Sequence, residues 1–136
     1  MLAVRTGRRT KLLLERLFIV RRLAPWFHNR VKRLVKTPKL QFLDAGLLGA
    51  MSATTAAASK DRSRFGPLLE TFVYSEALRQ SAWLEDPCEL YHFRDKDQDE
   101  VDVVVEAPDS RLVGIEVKAT ATVRAAKVPL APLVAP

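Results

Sequence analysis

The chain has 136 residues, 48% of them hydrophobic and 28% charged, with a net charge of +6, which is enough for one packed core and ordinary for a soluble globular protein. A single cysteine, Cys88, excludes an intrachain disulfide and a cysteine-based zinc cluster and fits a reducing compartment. The charge is segregated: residues 1–44 carry twelve of the 22 Lys and Arg against Glu15 and Asp44, and residues 85–110 carry ten of the 16 acids against Arg94 and Lys96. A basic end beside an acidic middle suits a polyanion-binding face next to a cation-binding site, though a solvated surface accounts for a basic stretch equally well.

Taken in chain order, Arg8-Arg9 ahead of Leu12-Leu13-Leu14 superficially resembles a twin-arginine export signal. Glu15-Arg16 and Arg21-Arg22 break the apolar segment, and no 18-residue apolar run occurs, so the expectation is a cytoplasmic chain with no membrane partner. Residues 11–24 have mixed helical periodicity, with Leu13, Leu14, Leu17, Phe18, Val20 and Leu23 among charges, ending near Pro25. Residues 30–43 suggest a basic β-hairpin turning near Pro38, after which Asp44-Ala45-Gly46 stops the strand and Leu47-Leu48 opens a short helix or turn. Residues 52–64, rich in Ser, Thr and Ala, form a candidate linker.

A helix is expected from Gly66-Pro67, with Leu68, Leu69, Phe72, Val73, Ala77 and Leu78 as its buried stripe. Glu70 is placed in its first turn, where the helix dipole alone explains an acid. Leu90 to Arg94 reads as a strand, Asp95 to Asp99 as a turn, and residues 100–118 as a β-hairpin, giving the order helix, strand, strand, strand. Three prolines in the last eight residues exclude a regular helix there. The division expected is a basic segment over 1–50, a linker or loop over 51–65, a core over 66–126 and a disordered proline-rich tail over 127–136. His28 and His92 lack ligand spacing and are read as structural or exposed.

The hairpin carries the chemistry. Asp102, Glu116 and Lys118 stand in β-branched runs, E-V-D-V-V-V-E and L-V-G-I-E-V-K. With a loop over 107–111, Asp102 falls opposite Glu116, and Glu116 and Lys118 share a face. Facing carboxylates repel. A divalent cation held by hard oxygen ligands reverses that sign, and an adjacent lysine fits a place where phosphate and an attacking water meet a metal. A solvated hairpin face is the competing reading.

The order of Glu70, Asp102 and Glu116-Val117-Lys118 resembles the PD-(D/E)xK nuclease superfamily. Three segments, LERLFIVRRLAPWFHNRVKRLVKTPKLQFLDAGLL, FGPLLETFVYSEAL and YHFRDKDQDEVDVVVE with IEVKATATVRAA, more closely resemble domain of unknown function 4143, attached to many prokaryotic AAA-type ATPases. The resemblance implies an α/β fold, a restriction-endonuclease-like mixed sheet with a core helix. Before it would come a partial winged-helix-like helix plus basic β-hairpin, with C-terminal core elements missing after about Ala126, as in a fragment. It implies Asp102 and Glu116 as ligands of Mg²⁺ or Mn²⁺, completed by the Val117 carbonyl, with Lys118 orienting the attacking water and Glu70 as auxiliary acid. Arg30, Lys32, Arg33, Lys36 and Lys39 are the candidate contacts to a DNA backbone. No P-loop pattern G-x-x-x-x-G-K-[ST] occurs, so no ATP site is expected, and an ATPase domain or other partner would supply missing elements. The expected activity is metal-dependent hydrolysis of DNA phosphodiesters. The alternative is a non-catalytic DNA- or protein-binding module, or an inactive gene fragment.

Overall fold

The computed structural model describes residues 7–29, 31, 37–52, 65–94 and 100–120. In chain order these form α1 (Arg8–Arg16), β1 (Val20–Leu23), β2 (Lys39–Phe42), α2 (Ala45–Met51), α3 (Gly66–Ser81), β3 (Glu89–Arg94), β4 (Glu100–Glu106) and β5 (Leu112–Ile115). Among the described residues this is a mixed α/β arrangement with three helices and two small antiparallel sheets, β1–β2 and β3–β4–β5. Of the linker expected over 51–65, Met51 closes α2 and residues 53–64 lie outside the described residues, as do the expected turn at 95–99 and the tail at 127–136.

The helix expected over residues 11–24 is cut short. Its last turn closes with Phe18 N–H on the Glu15 carbonyl and Ile19 N–H on the Leu14 carbonyl, both 3.0 Å, and Phe18 takes a left-handed conformation, φ 55°. That is the reverse-turn cap usually given to glycine. Val20–Leu23 then becomes a strand, pairing antiparallel with β2 from Val20–Phe42 to Leu23–Lys39. Burial of Val20 and Leu23 outweighs the helical spacing, since propensity and pattern are weak against tertiary packing. This also corrects the basic hairpin expected over 30–43: Lys39–Phe42 finds its partner in β1, and Val31 is helical. Asp44 caps α2, its side chain accepting from Leu47 N–H at 2.6 Å.

The α3 helix begins at Gly66 with Pro67 in its first turn, as expected, but its buried face is different. Thr71, Tyr74, Ser75 and Ser81 are buried, while Phe72 is 52% exposed and Leu68, Leu69, Val73, Ala77 and Leu78 are half-buried. Two contacts fix this rotation. Tyr74 packs with Leu23 and Val103, with Leu78 at the edge of the cluster. The buried Thr71 hydroxyl accepts from Gln41 Nε2 at 3.2 Å, so a polar face toward β2 carries no unpaired group.

The two sheets are joined by backbone. After β1 the chain runs along β3 through an isolated parallel bridge, Pro25 to His92. Trp26 N–H donates to the His92 carbonyl at 2.7 Å, and His92 N–H to the Ala24 carbonyl at 3.0 Å. Among the described residues the strands are therefore antiparallel apart from this one parallel bridge. The central strand β4 is packed on both sides. Val101 and Val104 meet Trp26 and Phe93, and Val103 meets Leu23 and Tyr74.

Candidate functional site

The β4–β5 hairpin forms as its sequence predicts. Its ladder runs Val103–Ile115, Val104–Gly114, Val105–Val113 and Glu106–Leu112, closed by Ala107 N–H on the Arg111 carbonyl at 2.9 Å. Continued one step beyond each pair, that register sets Asp102 opposite Glu116, just past the last residue of β5. There a side chain replaces the ladder: Val117 N–H donates to Asp102 Oδ2 at 2.7 Å. The Glu116 carboxylate pairs with the Lys118 ammonium. The repulsion expected between the two facing acids is thus offset by the chain itself, by an amide for one and an ammonium for the other.

Burial grades these groups. Asp102, Glu116 and Val117 are half-buried and Lys118 is exposed. Hydrogen bonding to Glu116 and that carboxylate's charge, with Asp102 adding to them, push the Lys118 pKa above its ordinary value. Lys118 therefore stays an ammonium and feels both acids. The contact seen at Val117 is through its N–H, whereas the resemblance invoked its carbonyl.

Glu70 is placed elsewhere. It is the fifth residue of α3, past the first turn, which corrects the helix-dipole reading: it reaches across to β2 and ion-pairs with Lys39. Among the described residues no three His, Cys, Asp or Glu side chains gather into a group suited to a metal ion. The structure brings Asp102, Glu116, Val117 and Lys118 together and gives Glu70 a separate partner. Lys39, one of the five candidate backbone contacts, is half-buried and engaged by Glu70. Arg30, Lys32, Arg33 and Lys36 lie outside the described residues.

Two features escaped the sequence. The register between β3 and β4 shifts between Tyr91–Val104 and Phe93–Val101, so His92 alone opposes two residues, Asp102 and Val103. Such a bulge bends the strand and re-aims a side chain, and it sits on the candidate aspartate. The only trace in the sequence is that Val103, Val104 and Val105 break strict alternation. His92 itself is half-buried, and its Nε2 is buried with no hydrogen-bond partner. Burial first, then the charges of Lys39 and Arg94, lower its pKa from 6.5 to about 4. His28 is exposed, its ring meeting Trp26 edge-on at 6.5 Å.

Asp102 and Glu116 offer hard carboxylate oxygens, the donor type that Mg²⁺ and Mn²⁺ take one or two at a time beside water. The donor set fits such an ion, without a third acid.

With this geometry in hand, comparison with known proteins is informative. Residues 65–129 match a domain of unknown function, DUF4143. Residues 2–58 match a second, DUF8612. The DUF4143 match spans α3 and all three strands of the hairpin sheet. The chain is also similar to uncharacterized proteins of Mycobacterium bovis and Mycobacterium tuberculosis, each 36% identical over 118 residues, which is 86% of this chain and 26% of each relative. The chain thus spans about a quarter of the length of these curated relatives. No solved structure matches it. Among the described residues no helix is long and apolar enough to cross a membrane.

Proposed function

We propose that the chain is a nuclease-like domain, of the kind attached to AAA-type ATPases in the cytoplasm, whose hairpin end acts on DNA phosphodiesters with Mg²⁺ or Mn²⁺. The single observation that carries this reading is the meeting of Asp102, Glu116 and Lys118 at one end of β4 and β5, with Asp102 anchored by Val117 N–H. When bound, the metal would supply Lewis-acid activation of water and a clamp on the phosphate. Asp102 and Glu116 would hold it, and Val117 N–H anchors one oxygen of the Asp102 carboxylate. Lys118 would keep its proton and offset charge developing on the phosphoryl oxygens. Glu70, tied to Lys39, acts on the position of β2 against α3.

The test is a thermal melt of wild type and Asp102→Asn with and without millimolar Mn²⁺. Binding to the native state raises apparent stability by mass action. The expected outcome is an upward shift in wild type that Asp102→Asn abolishes, followed by Mn²⁺-dependent nicking of supercoiled DNA that Lys118→Ala abolishes while metal binding survives. A melt indifferent to Mn²⁺ sinks the proposal and favours the non-catalytic alternative, in which the basic segment binds DNA or protein and the hairpin acids are idle.

A further inference from the structure

Two groups of exposed large apolar side chains lie on surfaces of opposite charge. One is α1 and its exit. Leu13 and Leu17, one turn apart, are 55% and 57% exposed, and Phe18 after them is 80% exposed. Exposed Arg9, Lys11, Arg16 and Arg21 surround them. Phe18 holds its left-handed backbone at a cap position where glycine has no steric penalty. A bulky residue kept there, with its ring in water, spends stability without a packing return inside the chain.

The other surface lies between the end of α3 and the hairpin turn. Trp83 and Leu84 are 88% and 53% exposed, and they lead into a cleft of about 480 Å³ lined by Leu84, Glu85, Asp86, Cys88, Pro108 and Asp109, among others. Glu85 and Asp86 are exposed at its rim. Arg111 is the one cation among the described residues of the lining, and it is held by Asp109 at 2.6 Å. The cleft is large enough for an aromatic ring with a leucine beside it.

We infer that the chain associates head to tail: Leu13, Leu17 and Phe18 of one copy enter the Leu84–Pro108 cleft of a second, and the arginines around α1 meet Glu85 and Asp86. Both halves of the contact are present in one chain, with apolar centres and opposite rims, the arrangement that gives an interface its orientation. A lipid surface would explain the basic, apolar helix but leaves the acidic cleft without a role. Because the two surfaces differ, the contact is heterologous, giving a ring where the rotation closes and an open chain where it does not.

Light scattering during gel filtration of the full chain, over a concentration series in low and high salt, tests this together with two variants. Phe18→Gly removes the ring and relaxes the backbone, so its fold is retained. Glu85→Lys with Asp86→Lys reverses the rim at exposed positions. Wild type is expected to grow with concentration and to disperse in high salt. Each variant alone is expected to stay monomeric, and an equal mixture to form a 1:1 dimer that grows no further, because one good α1 then meets one good cleft. Wild type that remains monomeric to about 200 µM, above the weak range of protein interfaces, overturns the proposal. So does a mixture that fails to dimerise, or association that ignores the rim charges. Phe18-dependent binding to anionic vesicles that is unaffected by the Glu85 and Asp86 changes would assign α1 to a membrane instead.

Discussion

Two lysine–glutamate pairs among the described residues look alike in composition and differ in what they hold together. Glu70 and Lys39 join segments 31 residues apart, with side chains only 22% and 29% exposed. Glu116 and Lys118 are two residues apart in sequence, and the lysine side chain is 55% exposed. The first pair ties α3 to β2 in a half-buried position where a lone charge is costly. The second pair is local, with a wet lysine but a carboxylate only 21% exposed, and it constrains almost nothing beyond its own end of β5. A carboxylate in the first setting is a structural tie. In the second it is the group that the proposed function asks to exchange a lysine for a divalent cation.

The sharpest way to break this contrast is Lys39→Met, which keeps the stem and removes the charge. Glu70 would then be left half-buried without its partner, and about 2 kcal/mol of stability should be lost. Glu70→Gln in the same background should restore much of it, as a double-mutant cycle by urea denaturation would measure. A cost near zero would mean that water already screens the pair and that the two settings are equivalent.

The sequence made one pair visible and hid the other, for physical reasons. Glu116-Val117-Lys118 could be read because a hairpin's register follows from its turn, and alternation then places each side chain. Glu70 could be found but not placed. Its partner lies on β2, and β2 pairs with β1, a strand that carried helical spacing through Val20 and Leu23. The same long-range pairing turns Thr71 and Tyr74 inward and leaves Phe72 outside, against the apolar stripe the helix spacing suggested. The bulge opposite His92 was hidden because an extra residue in a β-branched run leaves no signature in residue type. What was legible was local: the hairpin, the onset of α3 at Pro67, and the order helix, strand, strand, strand. What was not legible depended on contacts between distant segments.

A smaller effect links the Lys39 side of the molecule to the hairpin. His92 opposes Asp102 across the bulge, and its pKa lies near 4 through burial, then Lys39, then Arg94. The native state keeps the ring neutral while the unfolded chain protonates it at its ordinary 6.5. Its contribution to stability is therefore intact above pH 6.5 and declines as pH falls toward 4. Allowing for solvent screening of a half-buried ring, the decline is roughly 1–2 kcal/mol. Melts at pH 7 and pH 5 should show wild type losing more than His92→Phe. In Lys39→Met the His92 pKa should rise, and the acid loss should shrink. An equal loss in wild type and His92→Phe would show that other groups set the acid limb.

The smallest expected effect on stability is also the most informative about function. Lys118→Ala removes an exposed ammonium whose pKa is raised by Glu116 and, to a lesser degree, Asp102. A raised lysine pKa contributes stability below its ordinary 10.5 and loses it as pH climbs past the raised value. For a local pair with an exposed lysine that contribution is slight, so the variant should melt within about 1 °C of wild type at pH 7. Removing the ammonium also leaves Glu116 and Asp102 facing each other with only Val117 N–H between them and repulsion. A divalent cation should then gain on the variant relative to wild type, because it no longer competes with Lys118 for Glu116. Calorimetric titration with Mn²⁺ should find Lys118→Ala binding at least as tightly as wild type, while Lys39→Met leaves Mn²⁺ affinity unchanged. If Lys118→Ala weakens Mn²⁺ binding, the lysine orders the acids rather than competing for one of them. The Glu116–Lys118 pair would then be a second structural tie, and its contrast with Glu70–Lys39 would disappear.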